Sequence, residues 1–262
     1  MIFFLRTLIK FLVLVVFTFF LPVAAMLGIH YLDLDKDTRD FGFYSSTNQA
    51  PSAESGEAII QVYAARAARW RGAIGVHTWF TTKRSSETSY TRLEVIGYRV
   101  RWGRNAVRIR TGTPDSMWFG SYPTLLREIR GNASLDDVID RLHESANNYT
   151  YATKYTVWPG PNSNTFAAMV GRDIPELQLE LPSNAVGKDF LGESRWIAGT
   201  PSSTGFQLSA KGLAGLTLAL EEGVELNLLG LTAGLDFFPP AIKLPGVGRI
   251  GFPDTRRYIY HR

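Results

Sequence analysis

Cysteine is absent from the 262-residue chain. That absence excludes a thiolate nucleophile, a cysteine-ligated zinc site, an iron–sulfur cluster and a disulfide frame. Histidine is scarce. His30, His77, His143 and His261 are too dispersed for a multi-histidine metal site, so neither a metal nor a cofactor is expected. No dinucleotide fingerprint and no Walker-type loop occurs. A strong charge of one sign is also lacking: 28 Lys+Arg against 24 Asp+Glu leave a formal net charge of +4, and nucleic acid is not an expected partner. What is present is an ordinary globular composition, 45% hydrophobic and 20% charged. The length suffices for one large domain or two small ones.

Residues 11–29 are uncharged and rich in Leu, Val and Phe. As a helix they span about 28 Å, near the hydrocarbon thickness of a bilayer. Arg6 and Lys10 precede the run, and Asp33 and Asp35 follow it. The positive-inside rule then places the N-terminus in the cytoplasm and the remainder outside. A cleaved signal peptide is the alternative. Val23-Ala24-Ala25 has the small-residue pattern of a cleavage site, and Pro22 would end the apolar stretch. The length of the run favours a retained anchor over residues 1–30. The expectation is a single-pass protein of the inner (cytoplasmic) membrane that touches lipid through this helix, with its C-terminal domain in the periplasm or outside.

Residues 31–56 are polar and irregular and read as a tether. An α+β core is expected over residues 57–182 and a β-rich region over 183–262. β-branched content makes strands of residues 58–63 and 75–81, with a helical turn or two between them in the Ala/Arg-rich residues 64–70. Residues 94–102 and 107–110 alternate as a hairpin about Gly103-Arg104-Asn105, with Ile96, Tyr98, Val100 and Trp102 on one face. Arg99, Arg101, Arg108 and Arg110 then share the other face, an anion-binding candidate for lipid head-group phosphates. A solvated or ion-paired sheet face is the plainer reading of the same arginines. Pro123 to Gly131 fits a helix with Leu125, Leu126 and Ile129 inward. Ser134 caps the next, which carries Leu135, Val138, Ile139 and Leu142 inward. A third helix opens near Asn162 and runs to about Val170, and Pro175 ends any continuation. Between residues 205 and 251 nine glycines separate alternating leucines, the pattern of a Gly-rich β-meander closed by Pro239-Pro240.

The stretch that can carry chemistry is Trp158-Pro159-Gly160-Pro161-Asn162-Ser163-Asn164-Thr165-Phe166. Two prolines and a glycine make a rigid turn, and a helix then starts among three capping residues. A hydroxyl there sits in the positive field of the helix start, beside amides able to hold an oxyanion. Ser163 is the candidate nucleophile on these grounds, with Asn162 and Asn164 supporting it. His77, in mid-strand, is the base selected by elimination. Strand parity allows Glu94 or Tyr98 to orient it. The plainer alternative is that these asparagines and Ser163 cap a helix and His77 is a core histidine.

The order of strand, histidine, strands, helix and Asn-x-x-x-Phe resembles the circularly permuted papain-like, NlpC-type fold. In that family a cysteine occupies the place of Ser163 and a histidine that of His77. The resemblance implies an antiparallel sheet with packed helices, and a retained fold with activity lost or changed. A broader resemblance rests on His77-Thr78-Trp79, residues 158–166, Ala185-Val186-Gly187-Lys188-Asp189 and Leu244-Pro245-Gly246-Val247-Gly248-Arg249. It is to an uncharacterised bacterial family, a domain of unknown function with an N-terminal membrane segment. Because a serine stands in the cysteine position and no third member is evident, the residues favour a membrane-anchored, non-catalytic envelope module, binding or structural, that takes lipid, glycan or a protein partner. The alternative is a serine-dependent hydrolase or acyltransferase acting on an envelope lipid, peptide or glycopeptide.

Overall fold

The computed structural model describes residues 2–33, 45–254 and 256–261. The apolar N-terminus forms α1 (Ile2–Val15), a π turn at Val16–Phe20 and α2 (Leu21–Asp33). Together they give one helix, Phe3–Leu32, long and apolar enough to cross a membrane. Pro22 does not end it. Proline lacks the N–H that would close the preceding turn, and the wider π turn lies immediately before it.

A six-stranded sheet follows in the order β13-β5-β1-β2-β3-β4. Its members are β1 (Ala58–Arg66), β2 (Val76–Lys83), β3 (Thr91–Val95), β4 (Val107–Thr111), β5 (Thr124–Gly131) and, from the far end of the chain, β13 (Tyr258–His261). All pairings are antiparallel except β13 with β5. One face carries Ile60, Val62, Phe80 and Leu93 against α4 (Asp136–Asn147) and α5 (Ser163–Asp173), whose Ile139, Leu142, Phe166 and Val170 complete the main core. The other face carries Tyr63, Trp79 and Leu125 and is covered by Trp118. A sheet buried on both faces lacks a clean alternation of apolar and polar residues.

That property explains the main departures from expectation. Thr124 to Gly131, expected within a helix opening at Pro123, is strand β5. Leu125, Leu126 and Ile129 suit a two-sided strand as well as they suit a helical face, and β5 lies between β1 and β13. Residues 64–66 extend β1 instead of turning, and only Arg69–Ala73 forms a 3₁₀ turn. The expected hairpin over residues 94–102 stops at Val95. Gly97–Arg101 is a short helix, α3, seated so closely on the Tyr155 ring that a Cβ at Gly97 would lie 2.5 Å from it. Asn132, not Ser134, makes the cap before α4, accepting the Ser134 amide at 2.9 Å. Residues 34–44 of the expected tether lie outside the described residues. Residues 45–50 are docked on Asp115, which accepts the Ser46 hydroxyl at 2.8 Å and the Gln49 amide at 2.6 Å.

The last part is a seven-stranded antiparallel meander, in sheet order β12-β11-β10-β9-β8-β7-β6. It comprises β6 (Ile197–Gly199), β7 (Gly205–Ala210), β8 (Ala214–Ala219), β9 (Gly223–Leu228), β10 (Leu231–Phe237), β11 (Pro240–Leu244) and β12 (Gly248–Gly251). Pro239-Pro240 is the β10–β11 junction and does not close the meander. The expected α+β class, with an apolar helix first and a meander last, holds.

Candidate functional site

Asn162 builds the start of α5. Its side-chain oxygen accepts the amides of Asn164 at 2.9 Å and Thr165 at 3.2 Å, and its carbonyl accepts Phe166. Thr165 returns the contact by accepting the Asn162 amide at 3.1 Å, which completes a capping box. The Asn162 side-chain amide donates to the carbonyls of Val157 and Val186, 3.0 Å each. Asn164 donates to Val76 and Val186 carbonyls at 3.0 and 2.8 Å and accepts the Thr78 hydroxyl at 2.7 Å. Both asparagines are thus fully engaged in fixing α5 against β2 and the 184–190 loop. In the first turn of α5 these bonds leave over one amide, that of Ser163. Ser163 itself is buried.

His77 stands at the beginning of β2 on the face opposite Thr78. Its imidazole stacks on Trp118 with ring centroids 3.9 Å apart, and its Nε2 lies 3.1 Å from Glu94 Oε2. Glu94 is fully buried on β3, and Arg92 and Arg108 donate to it at 3.0 and 2.5 Å. Arg92 lies over the Trp79 ring at 4.1 Å and donates to the Ser116 hydroxyl at 2.7 Å. Burial opposes ionisation of Glu94, yet the His77 bond and the two guanidiniums outweigh it and hold its carboxyl well below the usual range. Burial pushes the His77 imidazole below its ordinary value of 6.5, against the opposing pull of Glu94. An ionised Glu94 beside a neutral imidazole makes Nε2 the protonated nitrogen and Nδ1 the lone-pair nitrogen.

His77 and Ser163 line one cavity of about 710 Å³. Because Thr78 bonds α5 on the other side of the strand, this cavity wraps round the beginning of β2. Its walls include Val23 of α2, Ile74, Val100, Trp118, Trp158 and Leu231. Arg101 also lines it. The four arginines do not share a face. Arg108 is bound to Glu94, Arg99 donates to the Asn105 carbonyl at 2.7 Å, and Arg110 points to solvent. The turn at Gly97 separates the first two from the last two. Of the two groups that parity allowed to orient His77, Glu94 does so, whereas Tyr98 sits on α3. Arg92 escaped the sequence reading. Its only signal is the spacing Arg92-x-Glu94, which puts a cation beside the carboxylate on one strand face.

Residues 57–190 match the family described as Protein of unknown function (DUF3750), slightly more than half of the 262 residues. The chain belongs to this family. Comparison with curated proteins and with solved structures returns no match. The DUF3750 segment contains His77, Arg92, Glu94 and Ser163, and it ends just beyond Lys188 and Asp189. Those two are not solvent-facing groups of a loop. Lys188 donates to Glu225 at 2.5 Å, and Asp189 accepts Asn227 at 2.6 Å and Thr232 at 2.9 Å. They join the family segment to the meander. Among the described residues no three His, Asp or Glu side chains gather as a metal site.

Proposed function

We propose that the protein is a serine-dependent acyl hydrolase or acyltransferase on a papain-like scaffold, acting on an acylated lipid of the membrane that its N-terminal helix crosses. The observation that carries this reading is that the His77 imidazole, bound through Nε2 to a buried carboxylate, lines the same cavity as Ser163 at a helix start. In the proposed reaction His77 Nδ1, on the other side of β2 from α5, takes the proton of Ser163 Oγ across the cavity through one bridging water. The oxygen attacks the acyl carbonyl, and the Ser163 amide receives the oxyanion. The imidazolium returns its proton to the leaving alcohol, and water or an acceptor alcohol releases the acyl group. Glu94 is a positioning residue, fixing tautomer and ring. Asn162 and Asn164 hold the helix start and touch no reacting atom. The apolar walls favour an acyl chain over a sugar. Export of the domain to the periplasm belongs to the same proposal.

A second reading has a specific support. His77 lies on the face of β2 opposite α5, and serine without close activation is a weaker nucleophile than the cysteine of the papain-like proteins, so the same walls would hold an acyl chain without turnover. Hydrolysis of a chromogenic medium-chain ester by the full chain in detergent micelles separates the two. Turnover is expected to fall at least about a thousandfold in Ser163→Ala and in His77→Gln. Binding of the ester without turnover in the unaltered chain supports the second reading and overturns the first.

A further inference from the structure

The meander is built inside out. Across six neighbouring strands the register lines up Phe206, Leu218, Val224, Leu235, Ile242 and Ile250 in one row. The adjacent row of opposite parity runs Gln207, Thr217, Glu225, Gly234, Lys243 and Arg249. In a soluble sheet the apolar row would face the core. Here Leu226 and Ile242 are 53% and 52% exposed, while Glu225 and Lys243 are 1% exposed. The polar row is satisfied beneath the sheet, where Lys243 reaches Glu180, the Glu222 carbonyl at 2.7 Å and Glu225 at 3.2 Å. Seven strands about 4.8 Å apart and some five residues long give an outward apolar face of roughly 500 Å². That is at the upper end of the largest patches soluble monomers carry, and the arrangement is that of a lipid-facing sheet.

The N-terminal helix says what covers it. Residues 3–14 are all exposed. Val15, Thr18, Phe19, Pro22, Val23, Met26 and His30 form a stripe of reduced exposure at helical spacing. The π turn within this stripe contacts β10, and α2 contacts the 3₁₀ turn at Arg69–Ala73. The free stretch reaches only about 18 Å at 1.5 Å per residue, short of a hydrocarbon core of about 30 Å. A helix that crosses the bilayer therefore has its contact with β10 at hydrocarbon depth. We infer that the outer face of the meander lies in the surface of the bilayer that the N-terminal helix crosses, so that the cavity, bordered by Val23, Leu229 and Leu231, opens at lipid level.

The inference rests on the same membrane-spanning reading of the helix and not on catalysis. Because the chain has no cysteine, single nitroxide labels can be introduced without background. Leu226→Cys and Ile242→Cys report on the outer face, Leu12→Cys on the helix, and Asp137→Cys on the exposed side of α4, which packs on α5. The full chain is reconstituted in phosphatidylethanolamine–phosphatidylglycerol vesicles, and collisions with oxygen and with a water-soluble nickel chelate are measured. At 12, 226 and 242 the expected result is oxygen access with chelate access at least about tenfold below that at 137. Chelate access at 226 and 242 with residue 12 shielded overturns the docking and leaves the spanning helix standing. Chelate access at 12 overturns the spanning helix and the docking with it. Shielding of 226 and 242 from both probes, together with a dimeric mass, assigns the face to a second copy and overturns the proposal. An inactive Ser163→Ala chain is expected to give the same four accessibilities.

Discussion

At the scale of single residues, the decisive pair is His77 with Glu94. An imidazole held below its ordinary value of 6.5 by burial is in the base form throughout the neutral range. The acid limb of the rate profile should then have its midpoint below 6.5 in the unaltered chain. Glu94→Gln removes the group that raises the imidazole and leaves Arg92 and Arg108 facing it, so that midpoint should move lower still while the rate drops about a hundredfold or more. A merely structural Glu94 would lower the rate without moving the midpoint. Stability carries the same sign. The unfolded imidazole binds a proton as pH falls below 6.5 and the buried one resists, so the stabilisation is full above 6.5 and is lost as pH falls through the folded value. Thermal unfolding between about pH 7.5 and 5 should show a shallower slope in His77→Gln.

At the scale of elements, the start of α5 was legible because its signals are local: a proline-bearing turn, Asn162 as cap, and an apolar run ending before Pro175. What was not legible was the use of the two asparagines. Their spacing predicted helpers of Ser163, but the partners that saturate them, the carbonyls of Val76, Val157 and Val186, come from elsewhere in the chain. Asn162→Ala should cost about 2–4 kcal/mol, the sum of a lost cap and buried carbonyls left unpaired. Chemical denaturation in micelles measures it, and a cost under about 0.5 kcal/mol would remove Asn162 as the keystone of the site. β5 was misread for the opposite reason. A strand buried on both faces has no periodicity of its own, and Leu125-Leu126 with Ile129 satisfies a helical template by coincidence.

At the scale of the whole molecule, alternation along the meander revealed strands and turns but not which side faces in. Parity is symmetric under that exchange, and the usual rule of apolar residues inward gives the wrong face here. The polar side is held by ion pairs reaching out of the family segment, from Lys188 and Glu180 to Glu225 and Lys243. Removing one partner of a buried pair of this kind costs several kcal/mol, which ties the segment after α5 to the meander. The N-terminal helix contacts β10, and Val23 of the helix lines the cavity together with Leu231 of β10, so helix, meander and cavity adjoin one another.

Whether His77 activates Ser163 across the shared cavity is decided by peptide mapping after reaction with a fluorophosphonate. A single covalent adduct is expected on the peptide carrying Ser163, absent from Ser163→Ala and strongly slowed in His77→Gln. No adduct at any pH from about 6 to 9, or an adduct on a different serine, would contradict that activation.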